Sequence, residues 1–165
     1  MVRTFIRQKF TEIIEKEYGK PDVIAGIATG GIPQGVLVAQ ELGIPFIYVR
    51  SNVKDHGLGN LIEGSYESGQ KVVVIEDLIS TGGSSLLGVR ALKEAGMHVK
   101  GLLAIFSYGF DLAQESFDKA SCPFITLSDY EHLIEQALAL DYIRTSDLAT
   151  LQKWRELPAN WQPEV

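Results

Sequence analysis

Between Val72 and Ser85 the chain reads VVVIEDLISTGGSS. An apolar run leads into two adjacent carboxylates, Glu76 and Asp77. Two apolar residues follow, Leu78 and Ile79, and then a short polar turn of Ser80, Thr81, Gly82, Gly83 and Ser84. Such a turn has the chemistry of an anion cradle. Small residues let backbone N–H groups approach an anion closely. A helix starting there adds its partial positive charge and N–H groups that have no intrahelical acceptor. The hydroxyls of Ser80, Thr81 and Ser84 are further donors, so the turn suits a phosphate monoester. Glu76 and Asp77 would repel a bare phosphate, so the ligand must present hydroxyls or a bound cation on their side. A ribose 5-phosphate does both jobs, with phosphate at one end and vicinal hydroxyls at the other. An ordinary strand–turn–helix would explain the Ser and Gly residues but not the paired acids.

Two other segments could carry anion chemistry. ATGGIP, Ala28 to Pro33, has glycines suited to a tight turn at a helix N-terminus, which can take a second anionic group; Thr29, Gly30 and Gly31 are its candidates. Read from these residues alone, a plain strand-to-helix turn is an equal alternative. YVRSNVKDHGLGNLIEG, Tyr48 to Gly64, gathers Arg50, Lys54 and His56, with Gly57 and Gly59 allowing movement. Standing alone it also reads as a solvated surface loop. Other phosphate motifs do not fit. No G-x-G-x-x-G occurs, and GSYESGQK (Gly64–Lys71) places its Lys late, lacks a following Ser or Thr, and precedes a strand.

These segments need elements to position them. Ile6, Phe10, Ile13 and Ile14 mark one face of a first helix, ended by Gly19 and Pro21. VIAGIA (Val23–Ala28), FIYV (Phe46–Val49), KVVVI (Lys71–Ile75), GLLAIF (Gly101–Phe106) and PFIT (Pro123–Thr126) read as buried strands. Pro33 suits the first turn of a helix. Residues 51–64 are expected to form a long loop. Helices are expected at Ser84–Ala95, Asp111–Lys119, Tyr130–Leu140 and Asp147–Trp154, the last capped by Ser146. Alternating strands and helices predict an α/β fold with a parallel sheet. Ligands then sit at the carboxyl ends of the strands, which selects residues 29–33, 51–64 and 76–84.

Composition bounds the partners. The 165 residues, 45% hydrophobic and 22% charged, are read as one domain spanning 1–165. The net charge of −6 gives no global footprint for nucleic acid, so local groups must hold any polyanion. No apolar run is long enough for a membrane span. The single cysteine, Cys122, reads as a small half-buried residue before Pro123, and a cytoplasmic setting is expected. His98 and His132 show no ligand spacing.

The run from Val72 to Ser85 closely resembles the 5-phosphoribosyl 1-diphosphate signature of type I phosphoribosyltransferases. The run R-x-x-x-K-x-H-G-x-G-N-x-I-E-G from Arg50 resembles the catalytic loop of the orotate branch. Asp22 to about Gly109 matches well, and TLSDYEHLI (Thr126–Ile134) more weakly. The resemblance implies a type I phosphoribosyltransferase fold, with a mostly parallel sheet flanked by helices. It implies transfer of the phosphoribosyl group to orotate, giving orotidine 5′-monophosphate and diphosphate in pyrimidine synthesis. The donor would contact Thr29, Gly30, Gly31, Arg50, Lys54, His56, Glu76, Asp77 and the stretch Leu78, Ile79, Ser80, Thr81, Gly82, Gly83, Ser84. Catalysis would rest on Lys54, His56 and Asp77, and Ser80 would touch orotate. Mg²⁺ would arrive with the diphosphate, with no cage from protein alone. A homodimer with active sites shared between subunits is implied.

This sequence departs from the family pattern in four places. Gly30 stands where some members have Lys, and Ser51 where many have a second Lys. SYGF (Ser107–Phe110) replaces an acceptor-binding Arg found in some members. The N-terminal hood over the base is expected to be missing, and orotate to be converted poorly by the short chain. A purine or another pyrimidine as acceptor, or a non-catalytic sensor of the donor, are the alternatives.

Overall fold

A computed structural model describes residues 1–50, 61–156 and Pro158. Six strands form one sheet: β1 (Val23–Ile27), β2 (Phe46–Val49), β3 (Ile62–Glu63), β4 (Lys71–Ile79), β5 (His98–Ser107) and β6 (Phe124–Asp129). Their order across the sheet is β3-β2-β1-β4-β5-β6, parallel throughout except for β3 against β2. The six α-helices are α1 (Val2–Ile13), α2 (Gly31–Leu42), α3 (Gly83–Glu94), α4 (Asp111–Lys119), α5 (Tyr130–Ala139) and α6 (Leu148–Glu156).

The all-apolar strands are buried on both faces, as their sequences require. Every residue of β1 is buried. On one face, Phe10 and Ile14 at the end of the first helix and Val38 and Leu42 of α2 cover Ile24, Val73, Ile75 and Leu103. On the other, Val89 and Leu92 of α3 and Phe117 of α4 cover Val23, Ala25, Val72, Val74 and Leu102. Fully burying one such side chain contributes roughly 1.5–3 kcal/mol, so the two apolar layers account for much of the fold's stability.

The connections from β1 and β4 leave in opposite directions. The chain after β1 enters α2 on the first face, and the chain after β4 enters α3 on the second. β1 and β4 are neighbours, so a crevice opens between their carboxyl ends where the strand order reverses, the usual ligand position in such a sheet.

Several boundaries differ from the sequence expectation. β4 continues four residues beyond Ile75, so Glu76, Asp77, Leu78 and Ile79 also belong to the strand. β5 and β6 are also longer than their apolar runs. The reason is pairing: β5 supplies backbone partners for Glu76, Leu78 and Ile79, and ladder bonds do not depend on side-chain polarity. Within 51–64, Ile62–Glu63 is a short strand rather than loop; residues 51–60 lie outside the described residues. Ser146 does not cap the last helix. A 3₁₀ turn, Thr145–Asp147, precedes it, and Asp147 accepts from the Arg144 amide at 2.9 Å. Cys122 is fully rather than half buried.

Candidate functional site

The end of β4 forms the floor of the crevice. β1 pairs with β4 only as far as Ile75, opposite Gly26, while β5 follows β4 out to Ile79. The last turn of β4 therefore projects past β1, leaving one side open to the loop that links β1 to α2.

Glu76 and Asp77 are adjacent in a strand, so their side chains point to opposite faces of the sheet. Glu76 points toward α3, where it is buried. Its carboxylate accepts the Ser85 hydroxyl at 2.9 Å and the Asp77 amide at 3.0 Å. Burial pushes its pKa up to about 8, with the nearby Asp77 carboxyl adding to the rise. Asp77 points to the α2 face and is exposed; it accepts the Leu78 amide at 2.8 Å. The expectation of two acids side by side on the ligand is thus divided. Asp77 faces the crevice, and Glu76 braces the first turn of α3 from below.

The cradle lies directly beyond. Ser80 is half-buried, and Thr81, Gly83 and Ser84 are exposed. Gly82 is the N-cap of α3 with φ +83°, a backbone region that favours glycine. A Cβ there would also come within 2.8 Å of the Phe117 ring. Among the described residues no side chain caps α3. Its first-turn N–H groups, which lack intrahelical acceptors, are thus left to an external acceptor.

The β1–α2 loop closes the other wall. Gly31 is buried against β4: a Cβ on it would strike the Ile75 carbonyl. Gly30 lies against Asp77 itself, and a Cβ on it would overlap that carboxylate. Thr29 is exposed, and the Ala28–Thr29 peptide is cis. Two separated sequence segments therefore meet: Gly30 and Gly31 lie against the Ile75–Asp77 end of β4, from which the chain runs on into Ser80–Ser84. Leu78 is exposed on the same floor and Ile79 is buried.

Arg50 lies at the exit of β2. It pairs with Glu63 of β3 at 3.3 Å, and its amide donates to the Leu61 carbonyl at 2.9 Å. Lys54 and His56 fall outside the described residues. Among the described residues no cluster of three or more His, Cys, Asp or Glu could cage a metal.

The SYGF turn at the end of β5, Ser107–Phe110, is joined to the end of β4, where the Tyr108 amide donates to the Ile79 carbonyl at 3.1 Å. Arg155 of α6, 47 positions away in sequence, binds that turn.

With the geometry in place, similarity to known proteins can be set beside it. Residues 3–132 match the family described as phosphoribosyl transferase domain. The chain is 50% identical to the orotate phosphoribosyltransferase of Bacteroides fragilis over 161 residues, 98% of this chain and 76% of that one. It is 52% identical to that of Bacteroides thetaiotaomicron over 160 residues, again 76% of the relative and 97% of this chain. In three dimensions it resembles the orotate phosphoribosyltransferase of Aeropyrum pernix with TM-score 0.73 and 25% identity. That superposition covers 86% of this chain and 77% of the other.

Two predictions follow from the acid pair. Glu76 is neutral when folded up to about pH 8 but ionises near 4.5 in the unfolded chain. Between those values the unfolded state binds fewer protons, so stability should fall as pH rises, by up to ~1.4 kcal/mol per pH unit. Glu76→Gln, whose side-chain carbonyl still accepts from the Ser85 hydroxyl, should remove most of that slope. Urea denaturation at pH 5, 6.5 and 8 measures it, and an unchanged slope would contradict a buried neutral Glu76. Gly30→Ala should fold normally, because the atom it meets ends a movable side chain. It should displace Asp77 and weaken ribose 5-phosphate binding; calorimetry showing wild-type affinity would separate Gly30 from Asp77.

Proposed function

The chain belongs to the orotate phosphoribosyltransferase family, and from that premise we propose how its residues carry the reaction. The protein transfers the 5-phosphoribosyl group from 5-phosphoribosyl 1-diphosphate to N1 of orotate. Orotidine 5′-monophosphate and diphosphate are the products, a step of pyrimidine synthesis. The observation that carries the residue assignment is the meeting of exposed Asp77 with an uncapped helix N-terminus at the sheet's crevice.

The 5′-phosphate sits in Ser80–Ser84, held by hydroxyls and first-turn amides of α3. Its binding energy fixes the position of the reacting carbon. Asp77 receives the ribose hydroxyls. As the bond from C1 to diphosphate breaks, the ring becomes electron-poor, and the negative charge of Asp77 favours that state over the ground state. Glu76, neutral and buried, adds no charge to compete with the phosphate; it holds Ser85 and so the first turn of α3. Thr29, Gly30 and Gly31 present their backbone to the diphosphate, supported by the close packing of Gly31 on β4.

Arg50, Lys54 and His56 are proposed to balance charge on the departing diphosphate. The family-like run from Arg50 to Gly64 supports this. The same run supports a homodimer in which that segment completes the neighbouring site. Analytical ultracentrifugation tests the dimer, and a monomer at micromolar concentration would exclude it. A Mg²⁺ arriving on the diphosphate is proposed, with the exposed Asp77 carboxylate near it. Such an ion supplies positive charge to the leaving group. Donor titrations with and without Mg²⁺ measure the dependence. No described helix is long and apolar enough to cross a membrane, and a cytoplasmic setting is proposed.

Asp77→Asn should weaken binding of the ribosyl donor by on the order of 1–3 kcal/mol, the range for a lost charge-assisted hydrogen bond. Titration calorimetry on both proteins decides, and equal affinities would remove Asp77 from the site. Steady-state assays with orotate, uracil, hypoxanthine and adenine should give the highest kcat/KM with orotate. Turnover of a purine alone would reassign the acceptor.

A further inference from the structure

The end of the sheet opposite the crevice carries a concentration of charge that the transferase reading does not use. At the amino ends of β4 and β5, Lys71, Lys93, His98 and Lys100 surround a hollow of about 430 Å³, whose lining Met97 and Val99 complete. All four polar residues are exposed. The chain holds 15 Lys and Arg against 21 Asp and Glu, yet no carboxylate is among the described residues that line this hollow.

The backbone places these cations. The sheet ladder sets Lys71 beside His98. The register then shifts: Val72 pairs with Val99 and Val73 with Gly101, which leaves Lys100 as the extra residue of a bulge. A bulge re-aims the side chain it carries, and Lys100 lines the same hollow as Lys71 and His98. The turns that lead into the two strands are tied together, the Gly69 amide donating to the Gly96 carbonyl at 2.9 Å and the His98 amide to the Gln70 carbonyl at 2.8 Å. Lys93, near the end of α3, donates to the Ala120 and Ser121 carbonyls at 2.7 and 3.3 Å, so its ammonium is anchored on backbone. Asp22 lies beside Lys71 but accepts its amide, at 2.6 Å. Among the described residues no ion pair engages Lys71, Lys93, His98 or Lys100.

A lysine facing bulk water needs no ligand. Several that share one concavity repel one another, and a concavity of one sign concentrates counter-ions. A single carboxylate would leave most of that charge unmatched, whereas a chain of phosphates meets several ammonium groups at once. Lys93 also lines a second, apolar groove of about 350 Å³, with Leu86, Val89 and Ala120 and with Arg90 and Glu94. We propose that the hollow binds the oligophosphate chain of a small polyanion, at a site separate from the crevice. Two sources share that chemistry: an inorganic oligophosphate, or a nucleoside triphosphate whose base enters the apolar groove beside Lys93.

The test is titration calorimetry on the full chain, free of divalent metal, with inorganic triphosphate as the probe. Wild type is compared with the double variant Lys71→Gln/Lys100→Gln. Both side chains are exposed, and the backbone bond from residue 71 to Asp22 survives the change. The double variant should lose about tenfold in affinity for triphosphate, as two exposed charge contacts are removed. Its affinity for ribose 5-phosphate, which reports the crevice, should match wild type. A second double variant, Lys9→Gln/Lys16→Gln, removes two exposed lysines already paired with glutamates, and should bind triphosphate as wild type does. Triphosphate held only in the crevice would bind wild type and Lys71→Gln/Lys100→Gln alike, and that result would overturn the proposal. So would an equal loss in the Lys9→Gln/Lys16→Gln protein, which reduces the effect to net charge, or the lack of saturable binding by wild type at millimolar concentration. Adenosine 5′-triphosphate as a further probe separates the two sources. Tighter binding than inorganic triphosphate assigns the groove to a base, and equal binding assigns the site to the phosphate chain alone.

Discussion

The two-residue period of a β-strand governs this site. Glu76 and Asp77 are neighbours in sequence, yet the pleat of β4 sends one to each face of the sheet. Had the chain turned at Ile75, both acids would have stood in the crevice and repelled the phosphate together. The strand instead leaves one carboxylate exposed at the crevice and buries the other as a neutral carboxyl under α3. Everything else in the crevice is arranged around that division. β1 stops at Ile27, the chain moves aside into α2, and Gly30 takes up the space beside Asp77 that any side chain would fill.

The burial of Glu76 is costly in isolation, because an ionised carboxylate would lose its hydration. The cost is lowered by neutrality and by two hydrogen bonds, from Ser85 and the Asp77 amide. The result is a rigid joint between the end of β4 and the first turn of α3. A phosphate site made of backbone amides depends on such a joint, since its donors have no freedom to follow a moving ligand. The overall charge of −6 sharpens the point. With a repulsive mean field, the anion must be held by donors already aimed at it.

Much of this was legible in the residues. The apolar runs located five of the six strands, and the order of acids, hydroxyls and glycines located the strand-to-helix junction at the sheet's crevice. Its family resemblance agrees with relatives about half identical over nearly the whole chain. What escaped follows from physics that sequence patterns do not carry. The strand was expected to end at Ile75 because strand signals weigh apolar side chains, whereas pairing with β5 acts through the backbone and carries it to Ile79. The opposite facing of the acid pair followed from the same misplaced boundary. Asp147 rather than Ser146 anchors the turn before α6 because the bond that matters runs back to the Arg144 amide. The β2–β3 pairing brings Ile62 against Val49, a contact that depends on the chain reversing between them.

Arg155 shows the limit most clearly. The sequence showed no arginine within Gly101–Phe110, and the acceptor end therefore looked undefended. Folding brings one from the far end of the chain to the same turn, but with its donors facing carbonyls and a carboxylate. An arginine pointing at a ligand contributes charge to binding. One pointing at the backbone contributes order, by removing alternatives the turn would otherwise sample. The clamped turn is also tied to the end of β4, through the Tyr108 amide and the Ile79 carbonyl, so the relative position of β4 and β5 bears on both. That position is fixed by their shared ladder out to Ile79 and Ser107.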